Sequence, residues 1–542
     1  MSRFNNAKAA VAARLSGFSP VTTTGQTTAT HEGGAGFLRT EKSELFLLAV
    51  TNMVGQDAFY EQAGRRNDRY AQLVRQLAVS DPVWTAALLG WLRGEGNLRT
   101  ASLVGAAEFA RARLDAGAAG HTRQVVDAVL QRADEPGELL GYWTASYGRT
   151  LPKPVKRGVA DAAARLYGER SLLKYDTDSK GYRFGDVLEL VHAAPAADKA
   201  AWQGDLFKHA IDRRHGRGNE IPATLRTVRA RAELFALPVE QRRAVLTSAE
   251  GAERLRDAGV TWEAIAGWLQ GPLDAAAWEA MIPSMGYMAL LRNLRNFEEA
   301  DIGDAAVQAV RDRLADPDQV ARSRQLPFRF WSAFRNNNGT RFADALEQGL
   351  THSLRNIPRL PGASLVLVDT SGSMTTGVFD KRSQMSPVQA GALFGVALAA
   401  AAPGNVDLFG FASGEFQHKV KRGASVLRET ERFVARVGEV GHGTDIHGAV
   451  RRLGCRRVRG RARYDRIFVI SDMQTIGGHH GVGDGLVPPG TAVYGFNLAG
   501  YRQAMTATGT AGRHELGGLT DATFRQVPLL ERGAGAAWPW EQ

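Results

Sequence analysis

Three oxygen-bearing side chains stand on alternate positions in the stretch LVLVDTSGSM, residues 365–374. Asp369 offers a carboxylate, and Ser371 and Ser373 offer hydroxyls from the same short loop. Oxygen donors of this kind suit Mg²⁺, Mn²⁺ or Ca²⁺. A serine or aspartate after a strand is also a common helix cap, so this motif alone leaves a metal loop and an ordinary turn both open.

Two later loops carry matching oxygen donors. Thr444 lies in GHGTDIHGAV, and Asp472 follows an apolar run in FVISDMQT. If each loop lies at the carboxyl end of a strand, these donors and the loop of Asp369 can converge on one divalent ion. His442 and His447 flank Thr444. We interpret both histidines as solvated loop residues and not as catalytic groups.

The elements that must position these donors can be read from residue 362 onward. SLVLVD, VDLFGFA, RIFVISDM and TAVYGFNLA are strand-like, and SPVQAGALFGVALAAAA and VLRETERFVARVGEV are helix-like. Apolar strands that alternate with helices indicate a mostly parallel sheet covered on both faces. We therefore predict a doubly wound, Rossmann-like α/β domain over residues 362–542.

Residues 37–358 show helical periodicity instead. KSELFLLAVTNMV, YAQLVRQLAV and PVWTAALLGWLR each place apolar residues on one helix face. Many short amphipathic helices without strand-like alternation favour an all-α solenoid of HEAT type. We expect residues 1–36 to be a flexible segment, because GFSPVTTTGQTTATHEGGA is rich in Thr, Gly and Ala.

Bulk properties narrow the classes of function. A chain of 542 residues exceeds the size of one core. The net charge of +11 and the pI near 9.8 favour polyanionic partners, nucleic acid before an anionic membrane surface. One cysteine excludes an internal disulfide framework and a thiolate zinc cluster. Without a long apolar run or a signal-peptide pattern, we expect a cytoplasmic protein with no membrane partner.

The α/β region resembles a von Willebrand factor A domain with a metal-ion-dependent adhesion site (MIDAS). The resemblance implies that Mg²⁺, or Mn²⁺ or Ca²⁺ in its place, is held by five residues: Asp369, Ser371, Ser373, Thr444 and Asp472. In that family the ion takes an acidic oxygen from a partner. No general base stands beside the motif, so we expect a docking site and no enzyme.

The order of a helical region followed by an A domain resembles the Ro autoantigen family, whose helical region is the TROVE module. The likeness spans about residues 37–542. It is carried by RGEGNLRTA (93–101), GRTLPKPVKRGVADAAARLY (148–167), LLKYDTDSKGYRFGDVLELVHAAP (172–195), WEAMIPSMGYMALLRNLRNFEEADI (278–302) and LPFRFWSAF (326–334).

This second resemblance implies a bacterial Ro orthologue, a monomer whose helices form a ring closed by the A domain. Such a ribonucleoprotein binds small noncoding Y-like RNA on its outer face. It admits single-stranded 3′ ends of misfolded RNA to the central hole. It serves RNA quality control, rRNA maturation or RNA decay, in some cases with a 3′-exonuclease.

Particular residues follow as candidate RNA contacts. Lys153, Lys156 and Arg157 cluster at a helix start, where the helix dipole also favours phosphate. The resemblance adds two residues in family motifs near this cluster, Lys174 and His192. It also places three arginines along the hole: Arg99, Arg292 and Arg295. The chain departs from the family at Glu189, where a basic residue is usual. Pro152 and Pro154 also precede the basic helix, where we expect them to shorten it.

Other readings remain open. RRLGCRRVRGRARYDR (451–466) holds eight arginines and is either a second phosphate-binding site or a solvated surface. The alternative function is a metal-dependent protein–protein docking module that acts through the A domain. A nuclease is disfavoured, because the metal motif has two carboxylates and lacks the acidic cluster of paired-metal sites.

Overall fold

The computed structural model describes residues 19–51, 61–325, 327–337, 341–354, 360–376, 385–402, 404–456, 463–477, 486–508, 512–519, 527–528, 530–531 and 537–541. The chain divides into two compact units. The α/β unit comprises residues 1–77, 325–334 and 350–542, and the helical unit comprises residues 78–324 and 335–349.

The elements follow in chain order. They are β1 (Thr23–Ala29), β2 (Ala35–Arg39), α1 (Glu41–Val50), α2 (Ala63–Ser80), α3 (Pro82–Arg93), α4 (Arg99–Asp115), α5 (Thr122–Val129), α6 (Glu135–Tyr147), α7 (Lys153–Leu166), α8 (Glu169–Tyr175), α9 (Phe184–Val191), α10 (Ala200–Arg214), α11 (Arg226–Phe235), α12 (Val239–Thr247), α13 (Gly251–Asp257), α14 (Trp262–Leu269), α15 (Ala275–Met281), α16 (Tyr287–Glu299), α17 (Asp304–Ala315), α18 (Pro317–Ser323), α19 (Pro327–Asn336), α20 (Ala343–Leu354), β3 (Ser364–Asp369), α21 (Gly372–Thr375), α22 (Pro387–Ala401), β4 (Val406–Phe411), β5 (Glu415–His418), α23 (Val426–Val434), α24 (Ile446–Gly454), β6 (Arg466–Ser471), β7 (Ala492–Asn497), β8 (Gln503–Ala504) and β9 (Arg513–Gly517).

A six-stranded sheet in the order β5-β4-β3-β6-β7-β9 forms the centre of the α/β unit. Every neighbouring pair is parallel except β4 and β5, which are antiparallel. The chain runs outward from β3 in both directions, so the switch in strand order falls beside β3. Ligands bind at such a switch, beyond the carboxyl ends of the strands.

Helices cover both faces of β3, which explains its uninterrupted apolar run. Leu365 and Leu367 share a buried cluster with residues of α24. On the other face, glycines of α22 allow close approach, since a Cβ at Gly391 would lie 3.1 Å from Val368 Cγ1. This architecture confirms the predicted mostly parallel α/β fold.

The N-terminal region differs from the expected flexible segment. β1 pairs with β2 and β2 pairs with β8 in a second, antiparallel sheet. Arg39 of β2 forms a fully buried ion pair with Glu515 of β9, with Nε 2.9 Å from Oε2. Strand β1 is mostly exposed, so its sequence lacks the apolar alternation that marks a half-buried strand. Residues 1–18 lie outside the described residues.

The domain boundaries also differ from the predicted ones. Residues 37–77 and 325–334 belong to the compact α/β unit, although their sequence is largely helical. The physical reason is packing, because α1 lies against β9 and a Cβ on Gly517 would collide with Val50. Residues 355–359, near the predicted boundary, are outside the described part of the chain.

The helical unit contains helices and connections but no strand between residues 78 and 324, all of which are described. Short polar caps begin several helices. The Asp81 carboxylate accepts from the Trp84 amide at 3.2 Å at the start of α3, and Asp274 caps α15 in the same way. The predicted all-helical region is thus confirmed here. No helix in the described part of the chain is both long and apolar enough to cross a membrane.

Candidate metal centre and nucleic-acid interface

The first oxygen donors lie in the turn after β3. Asp369 ends this strand and is fully buried, and Ser371 is the residue before the short helix α21. The Ser371 amide donates to Asp369 Oδ1 at 2.8 Å, and the hydroxyls of Ser371 and Ser373 lie 3.3 Å apart. One carboxylate and two hydroxyls therefore occupy one buried turn.

The second carboxylate follows β6, the strand beside β3. Asp472 is buried, and its Oδ1 accepts a hydrogen bond from the Gln474 amide at 3.1 Å. Its Oδ2 has no hydrogen-bond partner among the described residues. Ser471 donates to Asp369 Oδ2 at 2.6 Å, which joins the two strand ends.

Burial and repulsion govern the protonation of this pair. Burial raises the pKa of Asp369 to about 6, against the effect of hydrogen bonds from Ser371 and Ser471. The pKa of Asp472 is raised to about 7, first by burial and then by the charge of Asp369, while the Ser373 hydroxyl acts to lower it. A cation between the two carboxylates would reverse both shifts.

The third loop is tied to the other two by backbone hydrogen bonds. The Thr444 carbonyl accepts from the Ile476 amide at 2.7 Å and from the Thr475 hydroxyl at 3.2 Å. The His442 carbonyl accepts from the Gly372 amide at 3.0 Å. The structure thus brings the loops of all five predicted metal ligands to one edge of the sheet.

The donors present fit a hard divalent cation. The set consists of two carboxylates and three hydroxyls, and all of them offer oxygen. The unpartnered Asp472 Oδ2 is the kind of buried acceptor that a cation, or a water bound to it, satisfies. Within the described ranges, no group of three or more His, Cys, Asp or Glu side chains is arranged to hold a metal.

The two histidines beside Thr444 lie in different environments. His442 is exposed, as expected for a solvated loop residue. His447 is buried at the start of α24, and its Nδ1 lies 3.4 Å from Thr475 Oγ1. The interpretation of His447 as a solvated residue was wrong, because the first turn of α24 faces the sheet.

Sequence analysis missed two contributors to this region. Ser471 positions Asp369 and is visible in the sequence only as the residue before Asp472. The second is the turn between β1 and β2, where the His31 amide donates to Gln474 Oε1 at 2.9 Å. Glu32 in this turn adds to the raised pKa of Asp472, after the larger effects of burial and Asp369. Nothing in the Thr- and Gly-rich composition of this segment points to that contact.

The basic cluster lies in the first turn of α7. Pro152 is the N-cap residue of this helix, and the Lys156 amide donates to its carbonyl at 3.0 Å. Pro154 lies in the first turn, where a missing amide proton costs no helical hydrogen bond. The two prolines therefore begin the helix at Lys153 and do not shorten it, contrary to expectation.

These basic side chains are not neutralised by carboxylates of the described residues. Lys153 and Arg157 are exposed and Lys156 is partly exposed, and none of the three forms an ion pair with a described residue. The opposite face of α7 packs tightly on α5, since a Cβ at Gly158 would lie 2.7 Å from the Arg123 carbonyl oxygen. The packing holds the basic face toward solvent, at the positive end of the helix dipole.

Lys174 and His192, the two candidates from nearby family motifs, are also exposed. Lys174 lies at the end of α8 with its Nζ 5.1 Å from the centroid of the Tyr175 ring. His192 follows α9 in a left-handed conformation, with φ of 54°. Glu189 carries the acidic charge that departs from the family pattern, and its Oε1 lies 2.8 Å from His215 Nε2.

The three arginines assigned to the hole lie on two helices, α4 and α16. Arg99 begins α4 and is held by carboxylates, with 3.2 Å to Asp134, 3.1 Å to Glu135 and a further contact to Glu138. Arg292 and Arg295 are exposed on α16. Arg295 pairs with Glu299 at 2.7 Å, whereas Arg292 forms no ion pair with a described residue.

The arginine-rich stretch at 451–466 divides into residues with different environments. Arg466 is buried, donates to Ser364 Oγ at 2.9 Å and pairs with Glu531. Arg452 pairs with Glu415 at 3.0 Å. Residues 457–462 lie outside the described residues. At least these two arginines therefore stabilise the α/β unit and are not free for phosphate.

Fold and site together define a class: a protein with an all-helical unit and a doubly wound α/β unit, whose sheet edge carries buried oxygen donors. Residues 258–341 match the family model of the TROVE domain, the helical module of the Ro family. No match was found among curated proteins.

Among solved structures, the chain is similar to the Ro (RSR) protein of Deinococcus radiodurans, with a TM-score of 0.61 and 19% sequence identity. The similarity covers 91% of this chain and all of that protein. The match to the domain model and the similarity in fold confirm the resemblance to the Ro family. Residues 258–341 match the TROVE domain family, and the fold of the chain is similar to that of a bacterial Ro protein.

Proposed function

We propose that this chain is a non-catalytic RNA-binding scaffold. It holds a small noncoding, Y-like RNA on the outer face of a helical ring and admits single-stranded 3′ ends of misfolded RNA to the central hole. It acts in RNA quality control, rRNA maturation or decay. A monomeric ring, a cytoplasmic location and a partner 3′-exonuclease are parts of the same proposal, and they derive from the resemblance.

One observation carries this proposal, the basic face at the start of α7 in a chain of TROVE fold. Lys153, Lys156 and Arg157 lack ion-pair partners among the described residues and lie at a helix N-terminus. Cations that neutralise no protein carboxylate remain available for phosphates. The overall charge of +11 supports the same class of partner.

The test is charge reversal of Lys156→Glu together with Arg157→Glu. The probe is a fluorescent stem-loop RNA with a single-stranded 3′ tail, and its affinity is measured from low to moderate salt. The double variant should lose most binding, and the salt dependence of log Kd should fall by about one to two units, since roughly one unit is lost per phosphate contact.

A matched control makes the same change of charge elsewhere. Lys208→Glu with Arg254→Glu alters two exposed residues of α10 and α13 that form no ion pair with a described residue. The control should retain most of the affinity at moderate salt. If both double variants bind this RNA equally well, the assignment of α7 as the main RNA-binding face is wrong.

A second candidate function is metal-dependent docking of an acidic protein partner on the α/β unit. The observation that favours it is the buried, unpartnered Asp472 Oδ2 beside Asp369. These two carboxylates, with Ser371, Ser373 and Thr444, would hold a divalent cation, most simply Mg²⁺. The cation supplies an open position for an acidic oxygen of the partner.

Removal of one carboxylate tests this site separately from RNA binding. Mn²⁺ binding to the full chain can be followed by electron paramagnetic resonance and calorimetry. Asp369→Ala should abolish Mn²⁺ binding and leave the affinity for the stem-loop RNA unchanged. Equal Mn²⁺ binding by the variant would contradict the assignment of the site.

A further inference from the structure

A cavity in the helical unit has features that neither the metal centre nor the basic start of α7 explains. Its volume is about 130 Å³, and it lies where the start of α6 meets the segment between α8 and α9. Asp134 and Tyr167 line its buried part, and the partly exposed Tyr175, Lys180 and Tyr182 line the part nearer solvent. Pockets for drug-sized ligands measure roughly 300–1,000 Å³, so this one suits a single flat ring system.

Tyr167, which lines the cavity, carries a buried hydrogen-bonding group that is unused. Its side chain is almost fully buried and stacks on Phe184 with ring centroids 3.8 Å apart. Its hydroxyl has no hydrogen-bond partner among the described residues. Burial raises the pKa of Tyr167 well above its usual value, so the hydroxyl keeps a proton that it can donate. Buried polar groups without partners are uncommon, and an acceptor on a ligand would satisfy this one.

The cavity wall also carries a fixed charge and a loosely held cation. Burial alone would raise the pKa of Asp134, but the hydrogen bonds and charge of Arg132, with Arg99 and Lys180, lower it to about 2. Lys180 Nζ lies 3.6 Å from Asp134 and 3.4 Å from Glu138. Both distances are long for charged hydrogen bonds, so this ammonium can turn to another acceptor.

The lining residues Tyr175 and Tyr182 add aromatic rings to the cavity, and two further cations lie against Tyr175. The Arg132 guanidinium lies 5.4 Å from the centroid of the Tyr175 ring, and Lys174 Nζ lies 5.1 Å from it. Tyr182 is held by a hydrogen bond of 2.8 Å between its hydroxyl and that of Thr144. Proteins bind unstacked bases of single-stranded RNA with such combinations of aromatic rings and basic side chains.

We infer that this cavity accepts one unstacked nucleobase of a bound single-stranded RNA. Tyr167 donates a hydrogen bond to an acceptor on the edge of the base, and Lys180 turns to the adjoining phosphate. A base matches the size of the cavity and its aromatic lining, and the phosphates match Lys180 and the cations beside Tyr175. The inference rests on the proposed RNA-binding function and adds to it a site of base recognition.

Two variants separate the cavity from the rest of the surface. Gly141 lines the cavity from α6, and a Cβ there would make only an ordinary contact, 3.8 Å from the Tyr182 ring. Gly141→Leu therefore fills the cavity with little strain on the backbone. Tyr167→Phe removes the hydroxyl and keeps the ring. Tyr142→Phe is the matched control for the lost hydroxyl. Tyr142 lies beside Gly141 on α6, its hydroxyl donates to Glu108 at 2.7 Å, and it does not line the cavity.

The first measurement is affinity for a single-stranded oligoribonucleotide. Tyr167→Phe should weaken binding about two- to tenfold, the range expected for one hydrogen bond. Gly141→Leu should weaken it roughly five- to hundredfold, because the stacking of one base is lost. Tyr142→Phe should bind like the unaltered chain. Tyr167→Phe should also match or exceed the thermal stability of the unaltered chain, since it removes an unsatisfied buried hydroxyl.

The second measurement locates the base directly. An oligoribonucleotide containing 4-thiouridine is photo-crosslinked to the full chain, and the attached peptides are identified by mass spectrometry. Crosslinks are expected in residues 133–141 or 175–184, and Gly141→Leu should remove these while it preserves crosslinks at α7. If Gly141→Leu does not fold, the affinity of Tyr167→Phe and the crosslinks of the unaltered chain still show whether a base occupies the cavity.

The outcomes distinguish this inference from the proposed function. A chain that binds no RNA contradicts the proposed function and the cavity with it. A chain that binds RNA through α7, without crosslinks at the cavity and with both cavity variants at full affinity, overturns the nucleobase site and leaves the scaffold function standing.

Discussion

The Ser471 hydroxyl donates to Asp369 Oδ2 at 2.6 Å and so joins the carboxyl ends of two adjacent parallel strands. The other oxygen, Asp369 Oδ1, accepts a hydrogen bond from the Ser371 amide. Together the two hydrogen bonds orient the carboxylate within the buried turn. Side chains that orient a metal ligand commonly change metal affinity when they are removed. Ser471 is thus a positioning residue for the candidate metal centre.

Ser471→Ala should weaken Mn²⁺ binding by about ten- to a hundredfold, the range for loss of a residue that orients a metal ligand. Calorimetry on the full chain measures this effect. Ser425→Ala is the matched control, because it removes a hydroxyl that caps α23 and that is not one of the candidate ligands. An unchanged Mn²⁺ affinity in Ser471→Ala would show that Asp369 needs no such orientation.

Stability should depend on pH through the buried carboxylates when a chelator is present. The pKa values of Asp369 and Asp472 are raised to about 6 and about 7, above the value of an unfolded chain. Between about pH 4 and pH 7 the unfolded chain therefore binds fewer protons than the folded one, and the free energy of unfolding falls as the pH rises. Urea unfolding at pH 5 and pH 7.5 measures the difference.

Addition of Mg²⁺ should remove most of this loss at pH 7.5, because a cation favours the ionised carboxylates. Asp472→Asn should flatten the pH dependence in the chelator, since the group with the larger shift no longer titrates. A pH profile that is the same in Asp472→Asn and in the unaltered chain would exclude this pair as its source.

Gly158→Ala should destabilise the helical unit and weaken RNA binding. The new Cβ would lie 2.7 Å from the Arg123 carbonyl oxygen and 2.8 Å from Val126 Cβ, so α7 must move away from α5. The cost of such overpacking is about 1–3 kcal/mol. Thermal unfolding and the affinity for the stem-loop RNA together show whether the basic face of α7 has shifted.

Gly267→Ala supplies the comparison for that variant. A Cβ at Gly267, inside α14, has no atom within 4 Å. Alanine should therefore stabilise this helix by about 0.5–1 kcal/mol and leave RNA binding unchanged. Equal behaviour of the two variants would mean that the close contact between α5 and α7 is not what holds the basic face in place.

Removal of the buried partner of Arg39 tests whether the N-terminal strands are part of the α/β unit. Arg39 and Glu515 are both fully buried, so Glu515→Ala leaves an uncompensated guanidinium and should cost about 3–5 kcal/mol. Glu439→Ala, which breaks the exposed pair with Arg436, should cause little change. Similar denaturation midpoints for both variants would show that β2 is dispensable for the stability of β9.

Several features of this protein could be derived from the sequence because local pattern determines them. The uninterrupted apolar run of residues 365–368 requires a strand covered on both faces. The alternate spacing of Asp369, Ser371 and Ser373 places their donors in one turn. The helical periodicity between residues 78 and 324 requires helices, and the chain order of helices and α/β region supported the family resemblance.

Other features depend on contacts between residues that are far apart in the chain. The exposed strand β1 has little apolar signal, and only its pairing with β2 reveals it. Ser471 acquires its role because β6 lies beside β3, more than 90 residues earlier in the chain. Arg99 is an ordinary basic residue until the tertiary fold surrounds it with carboxylates. The Tyr167 hydroxyl likewise lacks a hydrogen-bond partner among the described residues only because tertiary packing removes it from water. Local sequence determines which groups are present, and the tertiary structure decides which of them lie together and which lose their solvent.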